Sequence, residues 1–382
     1  MGWVRTKAIT TELSAPPSML LWLLTGVLMA IIGGMLFILR ASGAVKVLSE
    51  CNIWLLSLAP LGGWWVLFCL RGWLWGREVD EHQFLQKEAD YAQTQWEEWA
   101  GRHLAILGTA LLLPDGITAE AVLSSAVDKL PSRATLTRRI SGVNEPMKDC
   151  LVGIQPALSA LPSGLPLRVT IVTDLPVDEQ VKKFTAIWLT LFPARLIPED
   201  ITATKSLSMN YVEKRLKQPV LTVDLILIVQ AKGADEYSDA ISAILMTSDD
   251  VTQKYKLSHS ARLLRPMPLD VTVLEQDLAL FLDTQTIATH TAQVYGDAKR
   301  WEGITAPLLT LGGERGAVWQ STEITMLERM MGIPGPAAPW LLTSLVAELV
   351  SLTPASYLTL CSSGDEHFIC TITQGSEDEF IG

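Results

Sequence analysis

The chain contains five cysteines and five histidines, the residue types that most often supply a catalytic nucleophile, a general base or a metal ligand. The sequence has no H-x-x-x-H and no C-x-x-C spacing, so it does not indicate a zinc site. The histidines are scattered over the chain at His82, His103, His259, His290 and His367. His103 opens an apolar segment, where a buried structural imidazole is the more common role.

Three cysteines follow the apolar N-terminal region, and two of them are candidates for a nucleophile. Cys150 comes directly after Lys148 and Asp149, and an ammonium group close to a thiol lowers the pKa of that thiol. Cys361 and Cys370 lie on the two arms of a predicted hairpin, where packing in the core is more common. Partners in space need not be close in sequence, so a cysteine enzyme remains an alternative. The sequence itself assigns no catalytic residue.

Other signatures of enzymes and cofactor sites are missing from the sequence. It has no G-x-S-x-G, no G-x-x-x-x-G-K-[ST] and no G-x-G-x-x-G after a strand. The glycine-rich segment 312–316 is predicted to be a plain loop. The acidic runs 235–236, 249–250 and 377–379 are predicted to be solvated helix ends and a frayed tail. We therefore expect no cofactor and no metal.

Charge divides the chain into a basic head and an acidic body. Residues 1–77 carry six basic and two acidic side chains and seven of the 13 tryptophans, whereas residues 78–382 have a net charge of −15. Nucleic-acid binding requires positive charge that replaces the counterions of the phosphates. The acidic body is therefore not expected to bind nucleic acid.

Two uncharged apolar runs predict a membrane anchor in residues 1–77. The first run covers residues 19–39 and the second covers residues 51–70, and a helix of 20 residues spans the hydrocarbon layer. A cleaved signal peptide is the alternative, but its apolar region is usually shorter, and the second run would remain unexplained. The tryptophans around the second run fit an aromatic belt at the membrane surface.

An even number of spans places both ends of the chain on the same side of the membrane. Arg5 and Lys7 precede the first run, and Arg71 and Arg77 follow the second, which favours the cytoplasm for that side. The sparse, odd number of cysteines in the body suits a reducing compartment. We expect a bacterial inner-membrane protein whose body faces the cytoplasm.

Strand-like and helix-like segments alternate beyond the anchor, which predicts a layered α/β body. Residues 78–99 read as a helical connector, and residues 100–382 as a compact body, with two similar halves that meet near residue 250. The predicted strands are His103–Leu113, Leu167–Thr173 and Val220–Gln230. The predicted helices are Thr118 to about Leu130, Val177–Leu191, Asp235–Met246, Leu274–Leu282, Thr322–Met331 and Ala337–Leu352. The segments Ser356–Leu360 and His367–Thr373 read as a hairpin.

Two stretches resemble a known family. Residues 235–266, with SDAISAILMTSDD and SARLLRP, and residues 332–341, GIPGPAAPWL, look like the type VI secretion lipase adaptor family. The resemblance covers roughly residues 95–382. It implies a non-enzymatic adaptor that binds a phospholipase effector and helps to load it onto the spike protein. Trp301, Trp319 and Trp340 are candidate anchors for such a protein interface.

The layered organisation also resembles the thiolase-like fold. That family carries a cysteine nucleophile at a strand–helix turn in the first half and histidines in the second half. Cys150 is not predicted on such a turn, and GPAAPWL contains no histidine, so the resemblance carries over no catalytic residue. The main expectation is a protein that is not an enzyme. The alternatives are a membrane-anchored acyl-transfer enzyme that uses Cys150 or Cys361, and a structural or immunity component of a secretion system.

Overall fold

The computed structural model of this chain describes residues 2–5, 8, 10–43, 52–124, 135–218 and 220–376. They form two compact units. One unit is Arg5–Gln95, and the other consists of Met1–Val4 and Trp96–Gly382, which we call the body. The end of the predicted helix from Thr118 to about Leu130, and the acidic run 377–379, lie outside the described residues.

Two long apolar helices dominate the N-terminal region. Helix α1 is Met19–Ala41, and the Ser18 hydroxyl caps its first turn by accepting from Leu21 N. Helix α2 is Ile53–Gly101 and continues through Pro60. Both helices are long and apolar enough to cross a membrane. The predicted second span and the predicted connector are therefore parts of one helix.

Helices α1 and α2 touch through small residues. The indole nitrogen of Trp64 donates to the Thr25 hydroxyl at 3.1 Å. Gly26 faces the ring of Trp64, and Gly33 faces the backbone carbonyl of Ser57 so closely that a Cβ atom would overlap it. Small residues allow such backbone approach between apolar helices, where packing replaces the hydrophobic effect as the driving force.

Gly33→Ala is expected to destabilise the helix pair, because the added methyl group overlaps the carbonyl oxygen of Ser57. Overpacking of this kind costs about 1–3 kcal/mol. Gly34→Ala is the matched control, since nothing lies within 4 Å of a Cβ atom at that position. Thermal melting of the full chain in detergent micelles compares the two variants. Equal melting temperatures would show that Gly33 is not at a tight contact.

The described part of the body contains ten further helices and eleven strands. Its helices are α3 (Ala119–Leu123), α4 (Pro146–Gly153), α5 (Gln155–Ala160), α6 (Val177–Leu191), α7 (Asn210–Lys217), α8 (Asp249–Tyr255), α9 (Leu274–Thr284), α10 (Thr305–Gly313), α11 (Leu327–Met331) and α12 (Ala338–Leu352). Its strands are β1 (His103–Leu112), β2 (Leu167–Thr173), β3 (Asp200–Thr204), β4 (Val223–Gln230), β5 (Ala240–Ser248), β6 (His259–Leu264), β7 (Met267–Leu269), β8 (Gln293–Gly296), β9 (Ile324–Met326), β10 (Tyr357–Ser363) and β11 (Glu366–Ser376).

Within the described residues, these eleven strands form one sheet made of two similar halves. The order is β3-β2-β4-β5-β1-β6-β11-β10-β8-β9, and β7 pairs with β11. In the first half β2, β3 and β4 are parallel, and β5 is antiparallel to β4. In the second half β8, β9 and β10 are parallel, and β11 is antiparallel to β10. The two halves meet where β1 pairs antiparallel with β6. The prediction of a layered α/β body with two similar halves is confirmed.

Three apolar clusters show how the layers are stacked. The central cluster joins α7 and α12 to strands of both halves. A second cluster packs α4, α5 and α6 on the opposite face of the first half, and a third packs α9 and α10 on that of the second half. Helices therefore cover both faces of each half-sheet, and α7 and α12 are the inner helices.

Glu348 lies on the inner helix α12, and burial raises the pKa of its carboxyl to about 7. A carboxyl with a raised pKa in the folded state favours folding at low pH, and this contribution is lost as pH rises from about 4.5 through 7. We expect the melting temperature to fall between pH 5 and pH 8. Glu348→Gln should flatten that dependence, because it removes up to about 3 kcal/mol of pH-linked free energy. An unchanged profile in the variant would contradict this account.

Two predicted elements are wrong. Asp235–Met246 was expected to be helical, but Ala240–Ser248 is β5, and all nine of its residues are buried. A strand covered on both faces is apolar at consecutive positions, so periodicity cannot separate it from a buried helix. The predicted helix Thr322–Met331 is strand β9 followed by the short helix α11.

Candidate functional site

Cys150 and Cys361, the candidate nucleophiles of the enzyme alternative, are both buried in the structure. Cys150 lies on α4, and burial raises the pKa of its thiol to about 12, with a further contribution from the carboxylate of Asp149. The ammonium of Lys148 pairs with Glu145 at 2.9 Å. Because the thiolate is the nucleophile, Cys150 is protonated and inert at neutral pH.

Cys361 and Cys370 lie on neighbouring strands and pack in the central core. The pKa of the Cys361 thiol is raised by its hydrogen bond with Cys370 and by burial. The Thr359 hydroxyl lies 2.9 Å from Cys370 Sγ. Both thiols are enclosed, and the described contacts of this pair include no imidazole. An acyl-transfer mechanism through Cys150 or Cys361 is therefore not supported.

The other predicted residues also have structural roles. Trp301, Trp319 and Trp340 are buried and each donates its indole N–H inside the body, so they are not exposed interface anchors. Asp249 and Asp250 both pair with Arg102 at 2.7 Å. Segment 312–316 begins inside α10, where Gly312 packs against Trp319.

Segments of the two halves contact each other near the start of each inner helix. We call the contact near the start of α12 the first crossing and the contact near the start of α7 the second crossing. At the first crossing, side chains at the end of β4 and between β4 and β5 form hydrogen bonds to the backbone of the segment before α12. The Gln230 side chain donates to Pro334 O at 3.0 Å, and the Ser238 hydroxyl donates to Met331 O at 3.0 Å. The Gln230 and Ser238 side chains that make these contacts are buried.

The second crossing brings reactive side chains to the start of α7. The Ser208 hydroxyl donates to Glu366 Oε2, and the Asn210 amide donates to Glu366 Oε1 at 3.0 Å. The backbone N–H of Asn210 donates to Ser208 Oγ at 3.2 Å. Glu366 is exposed at the start of β11, while Ser208 and Asn210 are half-buried. We call these three residues the Ser208 site.

Local structure explains how the Ser208 site is held. The indole of Trp340, from the first turn of α12, donates to Leu207 O at 2.7 Å and fixes the turn before α7. The hairpin turn at Gly364, where φ is +63°, brings Glu366 back toward α7. A hydroxyl that donates to a carboxylate has the arrangement of a nucleophile beside a general base.

A groove lies next to this crossing. It has a volume of about 670 Å³ and lies at the carboxyl ends of β8 and β10, the edge at which parallel α/β sheets commonly bind ligands. The β10–β11 hairpin contributes to both the groove and the Ser208 site. Gly364 lines the groove, and Glu366 belongs to the Ser208 site. Side chains that line the groove include Asp297, Lys299, Arg300, Glu328 and Ser362.

Asp297 is the buried carboxylate of this groove. Burial raises its pKa to about 6, although hydrogen bonds from Ser362 and Trp301 oppose the rise. The same interaction occurs in the first half, where Asp174 follows β2 and accepts the N–H of Ala231 after β4. In the second half Asp297 follows β8 and accepts the N–H of Ser362 near the end of β10. The repetition indicates that Asp297 has a structural role, since it joins two strands.

Sequence reasoning missed Ser208, Asn210 and Glu366. No element was predicted between residues 192 and 219, so the turn before α7 had no place in the fold. The available signal was Ser208-Met209-Asn210 before a short helix that ends in basic residues, after the β-branched segment Asp200–Thr204. Only the crossing of the two halves, which is a property of the folded chain, brings Glu366 to these residues.

No model of a known protein family matches the chain, and no curated protein matches it. Solved structures match the body at low identity. 3-Oxoacyl-[acyl-carrier-protein] synthase III from Aquifex aeolicus is 11% identical with a TM-score of 0.44, and the match covers 71% of this chain and 99% of that chain.

Two further structures give the same result. The acetamide-bound OleA of Xanthomonas campestris is 11% identical with a TM-score of 0.46, over 72% of this chain and 99% of that one. The ishigamide ketosynthase/chain length factor is 12% identical with a TM-score of 0.46, over 71% and 99%. These similarities concern the fold, and the predicted thiolase-like organisation agrees with them.

The comparisons also correct the main functional expectation. The chain was predicted not to be an enzyme, and that prediction is wrong on this finding: the solved structures that the body resembles include a synthase and a ketosynthase. Their catalytic residues are not transferred to this chain.

Proposed function

We propose that this chain is a membrane-anchored acyl-transfer enzyme that uses the hydroxyl of Ser208 as its nucleophile. The observation that carries the proposal is the hydrogen bond from Ser208 to the exposed carboxylate of Glu366, at the start of the inner helix α7. Cys150 and Cys361, whose thiol pKa values are raised, do not offer a nucleophile of this kind. A serine needs a neighbouring base, and Glu366 is within reach.

The proposed step transfers an acyl group from a thioester. Ser208 Oγ attacks the carbonyl carbon and its proton passes to Glu366, while the carbon–sulfur bond breaks and the thiolate leaves. The thiolate takes up the proton from Glu366, and the acyl group remains on Ser208 as an ester. Asn210 donates to Glu366 and holds the carboxylate toward the serine. An acceptor that binds afterwards removes the acyl group.

Three features support a thioester of coenzyme A type as the donor. Lys299 and Arg300 line the adjacent groove, where they would face the phosphates of such a donor. The backbone N–H groups at the start of α7 give that end of the helix a partial positive charge, which stabilises an oxyanion that forms there. The groove is large enough for the flexible arm of the donor.

The test uses the full chain in detergent micelles, incubated with octanoyl-coenzyme A. Intact mass measurement should show one octanoyl group for each chain. Neutral hydroxylamine cleaves thioesters faster than esters, so an adduct on serine should persist where one on cysteine is removed. Cys150→Ser should acylate like the parent protein. Absence of the adduct on folded protein, or its rapid loss in hydroxylamine, would contradict the proposal.

The membrane location is part of the proposal and rests on α1 and α2, which are long and apolar enough to span. Basic residues at both ends of the pair favour a cytoplasmic body in a bacterial inner membrane. A fluorescent protein fused after Gly382 should be active, and alkaline phosphatase fused there should be inactive. The reverse pattern would place the body outside the cytoplasm. Binding of a phospholipase effector and a spike protein stays a prediction.

A further inference from the structure

The first crossing holds the start of α12 in a fixed position. Gln230, at the end of β4, donates from its amide nitrogen to Ser238 O at 2.7 Å and to Pro334 O at 3.0 Å. Its amide oxygen accepts the backbone N–H of Ala337, directly before α12, at 3.4 Å. The backbone N–H of Ser238 donates to Ile333 O at 2.8 Å. The first half therefore holds the segment before α12 at several points.

Trp340 extends this contact to the turn that carries Ser208. It belongs to the first turn of α12, its side chain is buried, and its indole N–H donates to Leu207 O at 2.7 Å. Leu207 directly precedes Ser208 in the sequence. The indole also meets the ring of Tyr211, in the first turn of α7, edge-on with 6.0 Å between the ring centroids. Trp340 therefore contacts residues before and after Ser208.

Met209 anchors the backbone directly after Ser208. It is buried and belongs to the same central cluster as Trp340. With Leu207 held by the indole and Met209 held in the core, the backbone is fixed on both sides of Ser208. The backbone N–H of Asn210 donates to Ser208 Oγ at 3.2 Å, so the fixed backbone also orients the hydroxyl.

The proposed acyl transfer requires the Ser208 hydroxyl to lie toward both its base and the donor. Ser208 belongs to the first half of the body, whereas Glu366 and Trp340 belong to the second. The hydrogen bond from Trp340 to Leu207 O therefore sets where the nucleophile lies relative to Glu366. A displacement of about 1 Å between reacting groups can slow a reaction by about a hundredfold.

We propose that Trp340 is a positioning residue for Ser208: its indole N–H orders the turn at Leu207 and so sets the rate of acyl transfer. The inference rests on the proposed function, and it adds that the first crossing acts on the second crossing through α12. Trp340 acts through the backbone of Leu207, and its side chain is buried. Loss of the N–H should therefore slow the reaction and leave binding of the donor unchanged.

The test compares Trp340→Phe with Trp319→Phe in the full chain in detergent micelles. Trp319 is also buried and donates its indole N–H to a backbone carbonyl, Thr291 O, at 2.8 Å, but it packs in the cluster of α9 and α10. At saturating octanoyl-coenzyme A, Trp340→Phe should acylate at least about tenfold more slowly, with an unchanged half-saturating concentration. Trp319→Phe should acylate like the parent protein.

Hydrogen exchange of the backbone amides gives a readout that does not depend on acylation. The amides of Asn210 and Tyr211 donate within the turn, to Ser208 Oγ and to Ser208 O at 3.0 Å. Mass spectrometry of the peptide that contains them should show faster exchange in Trp340→Phe and parent-like exchange in Trp319→Phe. Parent-like exchange in Trp340→Phe, or an acylation rate equal to that of Trp319→Phe, would overturn the inference. A parent protein that forms no adduct would overturn the proposed function instead, and exchange would still decide whether Trp340 orders the turn.

A second variant separates the hydrogen bond from the packing of the ring. Trp340→3-benzothienylalanine replaces the N–H by sulfur and keeps the shape of the bicyclic ring, so it should fold even where Trp340→Phe does not. It should show the same slower acylation and the same faster exchange. Parent-like behaviour of this variant would overturn the proposal, because the N–H would then not be the group that orders the turn.

Discussion

Ser208→Ala is expected to abolish acylation by octanoyl-coenzyme A, with a loss of about a thousandfold or more in rate. The substitution removes one oxygen atom, and with it the proposed nucleophile and the hydrogen bond to Glu366. The N–H of Asn210 loses its acceptor at Ser208, but it lies at a half-buried position that water can reach. The fold should therefore survive. The measurement is the initial rate of adduct formation by intact mass.

Ser206→Ala is the matched control for this variant. Ser206 is an exposed serine in the same turn, and its side chain has no role in the proposed step. Its acylation rate should equal that of the parent protein. Glu366→Gln should slow acylation by about 10²–10⁴-fold, because glutamine keeps the shape of the side chain and cannot accept the proton. A parent-like rate in Ser208→Ala would exclude this serine.

Asp224→Ala is expected to produce the largest loss of folding stability. Asp224 on β4 is 99% buried and its two oxygens accept from Arg168 Nε at 2.8 Å and from Arg215 Nε. Removing the carboxylate leaves the guanidinium of Arg215, itself 97% buried, without a counter-charge. Breaking a buried pair in this way costs about 3–5 kcal/mol. Denaturant unfolding followed by the tryptophan fluorescence of the body measures the loss.

Asp283→Ala tests whether burial is the reason. Asp283 pairs with Arg315 at 2.7 Å, but its side chain is 40% exposed, and surface pairs contribute about 0–1 kcal/mol. Each of the two variants removes an aspartate carboxylate that pairs with an arginine. If both variants lost the same free energy of unfolding, the low polarity around Asp224 would not be the cause of the loss. Neither variant touches the Ser208 site.

Local signals in the sequence predicted much of the fold. β2 and α6 were predicted with the bounds that the structure has, and the terminal hairpin forms with its turn at Gly364. Thr118 caps α3 as expected. These elements carry a clear alternation, an amphipathic stripe or a capping residue. β5 lacked such a signal because both of its faces are buried, and β3 and α7 are short elements with few apolar residues.

The site was harder to predict, for a physical reason. Cysteines were the first candidates because a thiolate is the more reactive nucleophile, but burial raises the pKa of Cys150 and encloses Cys361. A serine gains reactivity from a base, and the base here comes from a turn 158 residues away in the sequence. Such a pairing depends on the crossing of the two halves, which no local pattern records.

The most direct measurement is peptide mapping of the full chain after incubation with octanoyl-coenzyme A. Tandem mass spectrometry of the digest should locate the octanoyl group on the peptide that contains Ser208, as an ester, and on no peptide that contains Cys150 or Cys361. An octanoyl group on one of those cysteines, or an unmodified Ser208 in protein shown to be folded, would contradict the account.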